Sequence, residues 1–176
     1  MEKEAIRITI LTISDRSSQG VRPDQSGPAL VSMVEEQNWL VVKTEIIPDD
    51  YETIRRKLIE WCESGETDII LTTGGTGFSP RDVTPEATLS IIDRNAPGLA
   101  EAMRAASLLI TPHAMLSRAI AGIRKKTLIV NLPGSPKAAR ENLNTILAAL
   151  PHAVDLIKDS AHAEIGHKNS ETNLVE

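Results

Sequence analysis

Three glycines fall within four positions at Gly74-Gly75-Thr76-Gly77, directly after the run Asp68-Ile69-Ile70-Leu71-Thr72-Thr73. Glycine admits positive φ and lets a ligand approach the backbone, so these amides and the Thr76 hydroxyl form a donor set suited to phosphate. A tight turn with no ligand accounts for the same residues. No Gly-Lys-Ser/Thr follows, which excludes a P-loop, and Phe78-Ser79-Pro80 departs from the dinucleotide fingerprint. Arg81-Asp82 then adds a cation for an anionic ligand and a carboxylate. A carboxylate beside phosphate is repulsive unless a metal separates them, and one or two carboxylates commonly hold Mg²⁺ beside nucleotide phosphates. The structural alternative has Asp82 capping the next helix or pairing with Arg81, although Thr84 is better placed for the cap. Pro48-Asp49-Asp50 repeats the theme. A helix cap needs one acid, which leaves Asp49 as a second carboxylate for a metal.

Two further segments are rich in polar groups. Ser14-Asp15-Arg16-Ser17-Ser18-Gln19-Gly20 and Asp24-Gln25-Ser26-Gly27 form a long excursion after the first apolar run, either a plain surface loop or part of a ligand edge. Thr111-Pro112-His113-Ala114-Met115-Leu116-Ser117-Arg118 interrupts two helical patterns with hydroxyls and an arginine. Ser117 lacks a nucleophile elbow and a His–Asp partnership, so it reads as a ligand hydrogen-bonder or a helix cap rather than a nucleophile. The histidines (113, 152, 162 and 167) lack metal-ligand spacing, and with a single cysteine, Cys62, zinc is not expected.

These segments lie at the ends of predicted strands. Residues 6–13, 40–47, 68–73 and 127–132 are apolar or β-branched runs, stopped by polar or Gly/Pro residues. Between them, helical spacing links Leu30, Met33 and Val34; Ile54, Leu58, Trp61 and Cys62; Leu99, Met103, Ala106 and Ile110; and Leu143, Ile146, Leu147 and Leu150. Ser26 and Thr84 are expected caps, with Pro28 and Pro85 in the first turns. Alternation of strand and helix predicts a single-domain α/β three-layer sandwich with a mostly parallel central sheet. Such sheets bind ligands beyond the carboxyl ends of their strands, here at 14–27, 48–50, 72–82 and 131–136.

The chain has 176 residues, enough for one domain with a substantial core. We expect the domain to span 1–158 and a polar tail to follow at 159–176. The aromatic share is 2%, so aliphatic side chains must build that core. A net charge of −5 argues against general nucleic-acid affinity yet allows a local anion site. No apolar stretch is long enough for a membrane span, no signal segment is apparent, and one cysteine fits a reducing, cytoplasmic setting.

Four motifs taken together, TTGGTGFSPRDVTPEAT, Ser-Asp-Arg…Asp-x-Ser-Gly, Thr-Pro-x-Ala-Met-Leu-Ser-Arg and Asn-Leu-Pro-Gly-Ser-Pro, closely resemble the MogA/MoaB molybdopterin-binding family, which includes the G domains of gephyrin and its plant counterpart. The resemblance runs in order from about residue 6 to residue 158. Leu-Ser-Arg-Ala-Ile-Ala-Gly-Ile-Arg is more similar to the MogA and plant branch than to MoaB. The resemblance implies a MogA-like fold, a homotrimer, and a molybdopterin adenylyltransferase that uses Mg²⁺ and ATP, releases pyrophosphate and hands its product to a molybdate-inserting enzyme. It implies that Gly74, Gly75, Thr76 and Gly77 form the pterin and phosphate loop. Asp49 and Asp82 match the essential, metal-proximal acids, with Arg81 beside them, and Ser117 matches the pterin-side serine. Ser14, Asp15, Asn131, Pro133 and Gly134 lie around the same pocket in relatives. Two other readings stay open: a MoaB-like molybdopterin binder without adenylyl transfer, and a trimeric scaffold.

Overall fold

The computed structural model describes residues 4–158; the expected tail at 159–176 lies outside them. Among the described residues the strands are β1 (Arg7–Ile13), β2 (Leu40–Ile47), β3 (Ile69–Thr73), β4 (Arg94–Asn95), β5 (Ala121–Arg124) and β6 (Thr127–Leu132). They form one six-stranded sheet in the order β2-β1-β3-β6-β5-β4. Within it β2, β1, β3 and β6 run parallel to one another. Their carboxyl ends therefore share one edge, and all four predicted strand exits meet there. The chain steps from β1 outward to β2, then back past β1 to β3, so loops diverge above the β1–β3 pair. This is where open parallel sheets leave a crevice.

Two aliphatic cores follow from strand alternation. Ile8 and Ile10 of β1, Ile69 and Leu71 of β3, and Leu128 and Val130 of β6 pack on one face. Leu11, Ile13, Ile70 and Ile129 pack on the other. A short helix, α1 (Asp15–Ser18), follows β1. The first face is covered by α2 (Ser26–Glu36), α5 (Pro97–Leu108), α6 (Pro136–Ile146) and α7 (Leu150–Ile157), the second by α3 (Tyr51–Ser64) and α4 (Thr84–Leu89). The three-layer α/β architecture is the one the sequence predicts.

Several local expectations change. The segment 111–118 does not lie between two helices: a 3₁₀ turn, Pro112–Leu116, is followed by β5, which pairs antiparallel with β6 and with the two-residue β4. The last helical region breaks at a 3₁₀ turn, Leu147–Ala149, before α7. Ile110 is 61% exposed, so the inward stripe of α5 ends at Met103. Neither Ser26 nor Thr84 caps its helix. Asp24 accepts from the Ser26 and Gly27 amides at 3.0 and 3.2 Å, while α4 begins after Val83 with no side-chain cap.

Candidate active site

The glycine loop is built by close approach. Gly74 has φ +108° and Gly75 φ +63°. A Cβ on Gly74 would collide with the Ile13 carbonyl, and one on Gly75 with the Thr84 hydroxyl. Thr84 is freed from capping because it locks this loop: its hydroxyl donates to the Gly74 carbonyl at 2.9 Å and its amide to the Gly75 carbonyl at 3.1 Å. Gly74 N–H donates to the Leu132 carbonyl and the Thr73 hydroxyl to the Pro133 carbonyl, joining the exits of β3 and β6. The N–H groups of Gly75, Thr76 and Gly77 donate to no acceptor among the described residues. Three consecutive unpaired amides in a bent loop form the concavity that holds anions elsewhere.

The acids divide their work. Asp50 caps α3, accepting from the Thr53 amide and hydroxyl at 2.8 and 2.6 Å. Asp49 is left to face the cleft, as the doubled acid implied. Its Oδ2 accepts from the Asp15 amide at 2.8 Å, and its own amide donates to Asp15 Oδ1 at 3.0 Å. Burial pushes the Asp49 carboxyl above its ordinary pKa; the Asp15 amide opposes this, while the charges of Asp15 and Asp82 add to it. Arg81 forks onto Asp15 at 2.8–3.0 Å rather than pairing with Asp82. Asp82 closes its own turn, accepting from Ser79 N–H through Oδ2 at 3.0 Å. Oδ1 of Asp49 and Oδ1 of Asp82 accept no hydrogen bond among the described residues.

Two cavities meet at this loop, sharing Gly75, Asp82 and Gly134. The first, about 400 Å³, is polar and is lined by Ser14, Arg22, Asp24, Ser26 and Asp49. The second, about 450 Å³, has Ile110, Ala114, Leu116 and Pro133 in its walls with Thr76, Gly77 and Ser117. Together they form a cleft with two lobes and one acid at the junction. Among the described residues no three His, Cys, Asp or Glu side chains converge closely enough to hold a metal alone. A cation here would need Asp49 and Asp82 together with oxygens of a ligand.

Most of the expected residues line this cleft: Ser14, Asp49, Gly74, Gly75, Thr76, Gly77, Asp82, Ser117, Pro133 and Gly134. Asp15 and Arg81 line neither lobe and brace the acids from outside. Asn131 does not reach the cleft. It is fully buried, donating to the Thr72 and Thr88 hydroxyls at 3.0 Å each, so it ties β6 to β3 and α4. Ser14 also caps α1 through Ser17 N–H. Sequence reasoning placed Asp24 within a polar excursion at a possible ligand edge and gave it no role of its own, whereas it both starts α2 and accepts from Thr12 Oγ1 at 2.7 Å; an acid two residues before a Ser-Gly-Pro helix start was the available signal. It also missed Arg104, Ser107 and Asn142 in the second lobe, where Asn142 donates to Ser107 at 2.9 Å. Their spacing on α5 and α6 carries no local motif.

Residues 9–152 match the family described as "Probable molybdopterin binding domain". Gephyrin from Dictyostelium discoideum is 44% identical over 96% of this chain, which spans 25% of that protein's length. Molybdopterin adenylyltransferase from Helicobacter pylori (strain J99) is 44% identical, covering 94% of this chain and 95% of its own. The crystal structure of the molybdopterin biosynthesis enzyme MoaB from Thermus thermophilus superposes with a TM-score of 0.83 at 46% identity, over 88% of this chain and 98% of that one. With the cleft at the shared strand edge and a family match over most of its length, this chain belongs to the molybdopterin-binding domain family of molybdenum cofactor biosynthesis.

Proposed function

We propose that the chain is a molybdopterin adenylyltransferase. It transfers AMP from ATP to the terminal phosphate of molybdopterin and releases pyrophosphate. The observation that carries this reading is the two-lobed cleft, which offers separate space for two substrates and one unpaired carboxylate oxygen where they meet. The lobe with apolar walls and Ser117 suits a flat heterocycle. The polar lobe, with Arg22, Asp24 and Ser14, suits ribose and polyphosphate.

The transfer forms a bond from a molybdopterin phosphate oxygen to the α-phosphorus of ATP and breaks the bond from that phosphorus to the bridging oxygen of pyrophosphate. The attacking phosphate is already anionic at neutral pH, so no strong base is needed, in keeping with a centre that lacks His and Cys at the junction. The difficulty is to bring two anions together, and alignment with charge neutralisation answers it. Unpaired amides of Gly75, Thr76 and Gly77 would receive phosphate oxygens at the junction. Asp49 and Asp82 each keep one carboxylate oxygen open, which fits an ion that takes one or two carboxylates and completes its shell with phosphate and water. Mg²⁺ held there would neutralise charge on the reacting phosphates. Arg81, through Asp15, would hold Asp49 in place. We further propose a cytoplasmic homotrimer that passes its product to a molybdate-inserting enzyme; exposed Leu109, Ile110 and Met115 are apolar surface available to such assembly.

Purified protein incubated with molybdopterin, Mg²⁺ and labelled ATP is expected to yield adenylylated pterin and pyrophosphate. Asp82→Asn is expected to bind molybdopterin normally and to lose about 10²–10³ in rate, as for loss of one preorganised electrostatic group. Wild-type turnover by that variant at saturating Mg-ATP would refute the assignment of Asp82. The similarity to a protein named MoaB supports a second reading, molybdopterin binding without adenylyl transfer. Pyrophosphate release that requires both substrates decides against it.

A further inference from the structure

Arg118 lies outside both lobes yet grips the glycine loop and the turn that follows it. It directly follows Ser117 at the exit of the 3₁₀ turn. Its amide donates to the Thr76 carbonyl at 2.9 Å, and its Nε donates to the Gly77 carbonyl at 2.7 Å. One terminal nitrogen, Nη2, donates to the Asp82 carbonyl, and the other, Nη1, pairs with Glu86 on the first turn of α4. A guanidinium presents its donors in a fixed plane, so these acceptors are held at set separations.

The turn it grips has little else to fix it. Gly77 has no side chain to anchor. Asp82 bonds back to Ser79 at both its amide and its carboxylate, which shapes the turn without attaching it to the fold. The other tie found among the described residues, Arg81 to Asp15, joins the turn to α1 and not to the segment that carries Ser117. Arg118 therefore joins both ends of the turn 77–82 to the segment that carries Ser117.

We propose that Arg118 is a positioning residue for adenylyl transfer: by holding the Gly77 and Asp82 carbonyls it sets the Asp82 carboxylate at the junction in register with Ser117 in the second lobe. The role rests on the proposed function, while the contacts that carry it belong to the loop itself. A misplacement of about 1 Å can cost on the order of 10²-fold in rate. Arg118→Ala is thus expected to lower kcat by about 10–100-fold and to raise the Mg²⁺ concentration for half-maximal rate. KM for molybdopterin should change by less than about threefold, the pattern of lost transition-state alignment rather than lost binding. Without substrates, amide exchange in residues 77–84 should quicken in the variant. Arg118→Lys keeps the charge but cannot reach the same acceptors together, so it should fall between wild type and alanine. Glu86→Gln removes the ion pair while leaving the contacts to the loop, and should keep kcat within about threefold of wild type.

Exchange and kcat per folded molecule are to be measured on all four proteins, with wild-type turnover reading the proposed function separately. Unchanged exchange in 77–84, or unchanged kcat in Arg118→Ala beside an active wild type, overturns the proposal. So does a Glu86→Gln defect as large as that of Arg118→Ala, which would make Arg118 a partner for Glu86 alone.

Discussion

Asp49 carries an electrostatic load that the fold does not relieve. Its carboxyl is partly buried and faces Asp15 and Asp82, and its pKa is raised by burial first and by those charges next. The folded chain therefore holds the Asp49 proton more tightly than the unfolded chain does. The stability this provides is complete below the ordinary carboxylate range and is lost as pH rises through the raised folded value. Asn at this position keeps the acceptor for the Asp15 amide without the charge. Asp49→Asn is thus expected to melt with wild type in acid and above it at pH 7, while losing adenylylation. Adding Mg-ATP should raise the wild-type melting temperature more than that of the variant, because an ion beside Asp49 removes the repulsion. A wild-type protein more stable than Asp49→Asn at pH 7 without ligand would contradict this account.

At the scale of elements, what could be read from sequence follows how local its cause is. The four parallel strands were legible from β-branched apolar runs, and the face of α3 from Ile54, Leu58, Trp61 and Cys62, all buried. β4 and β5 were not: they have two and four residues, and Ala121-Gly122 lacks strand character. Gly122 is there because a Cβ would strike Ile92, a contact across the fold. Thr84 likewise looks like a cap by local pattern, but the tertiary demand of the Gly74 carbonyl takes its hydroxyl. The family resemblance places Asn131 around the pocket, whereas strand alternation turns its side chain under α4. Asp50 shows the local case. Hydrogen bonds from the Thr53 hydroxyl and amide hold its pKa below the ordinary value. The stability it gives α3 is present above the ordinary carboxylate range and lost as pH falls through the lowered value. Asp50→Ala should melt below wild type at pH 7, and the gap should close in acid. Asp50→Ser, which also caps, should retain most of the stability with little pH dependence. A gap that persists unchanged into acid would show that the carboxylate is not the cause.

Across the whole molecule the two ends of the sheet serve different purposes. Among the described residues the carboxyl edge leaves amides and carboxylate oxygens unpaired, whereas at the amino edge the buried carboxylate of Asp68 is paired. Asp68, 1% exposed, precedes β3 and accepts from Arg7 N–H at 2.9 Å and from Arg7 Nη2 at 2.7 Å, with Lys158 Nζ at 2.9 Å. It thereby ties β1, β3 and the residue after α7 at one point. Burial alone would raise its pKa, but Arg7 and Lys158 outweigh it and the net shift is downward. Its contribution is present above the ordinary carboxylate range and lost as pH falls through the lowered folded value. Asp68→Asn should cost roughly 1.5–3 kcal/mol in urea unfolding at pH 7, the scale of hydrogen bonds to a charged group, and the cost should shrink in acid. Because the cluster lies at the opposite edge from the cleft, kcat per folded molecule should stay at the wild-type value. Asp82→Asn should give the converse, full stability with little turnover. A loss of kcat in Asp68→Asn at temperatures where it is fully folded would mean that the two edges are coupled through the strands, and the division of the sheet into a supporting edge and a reacting edge would fail.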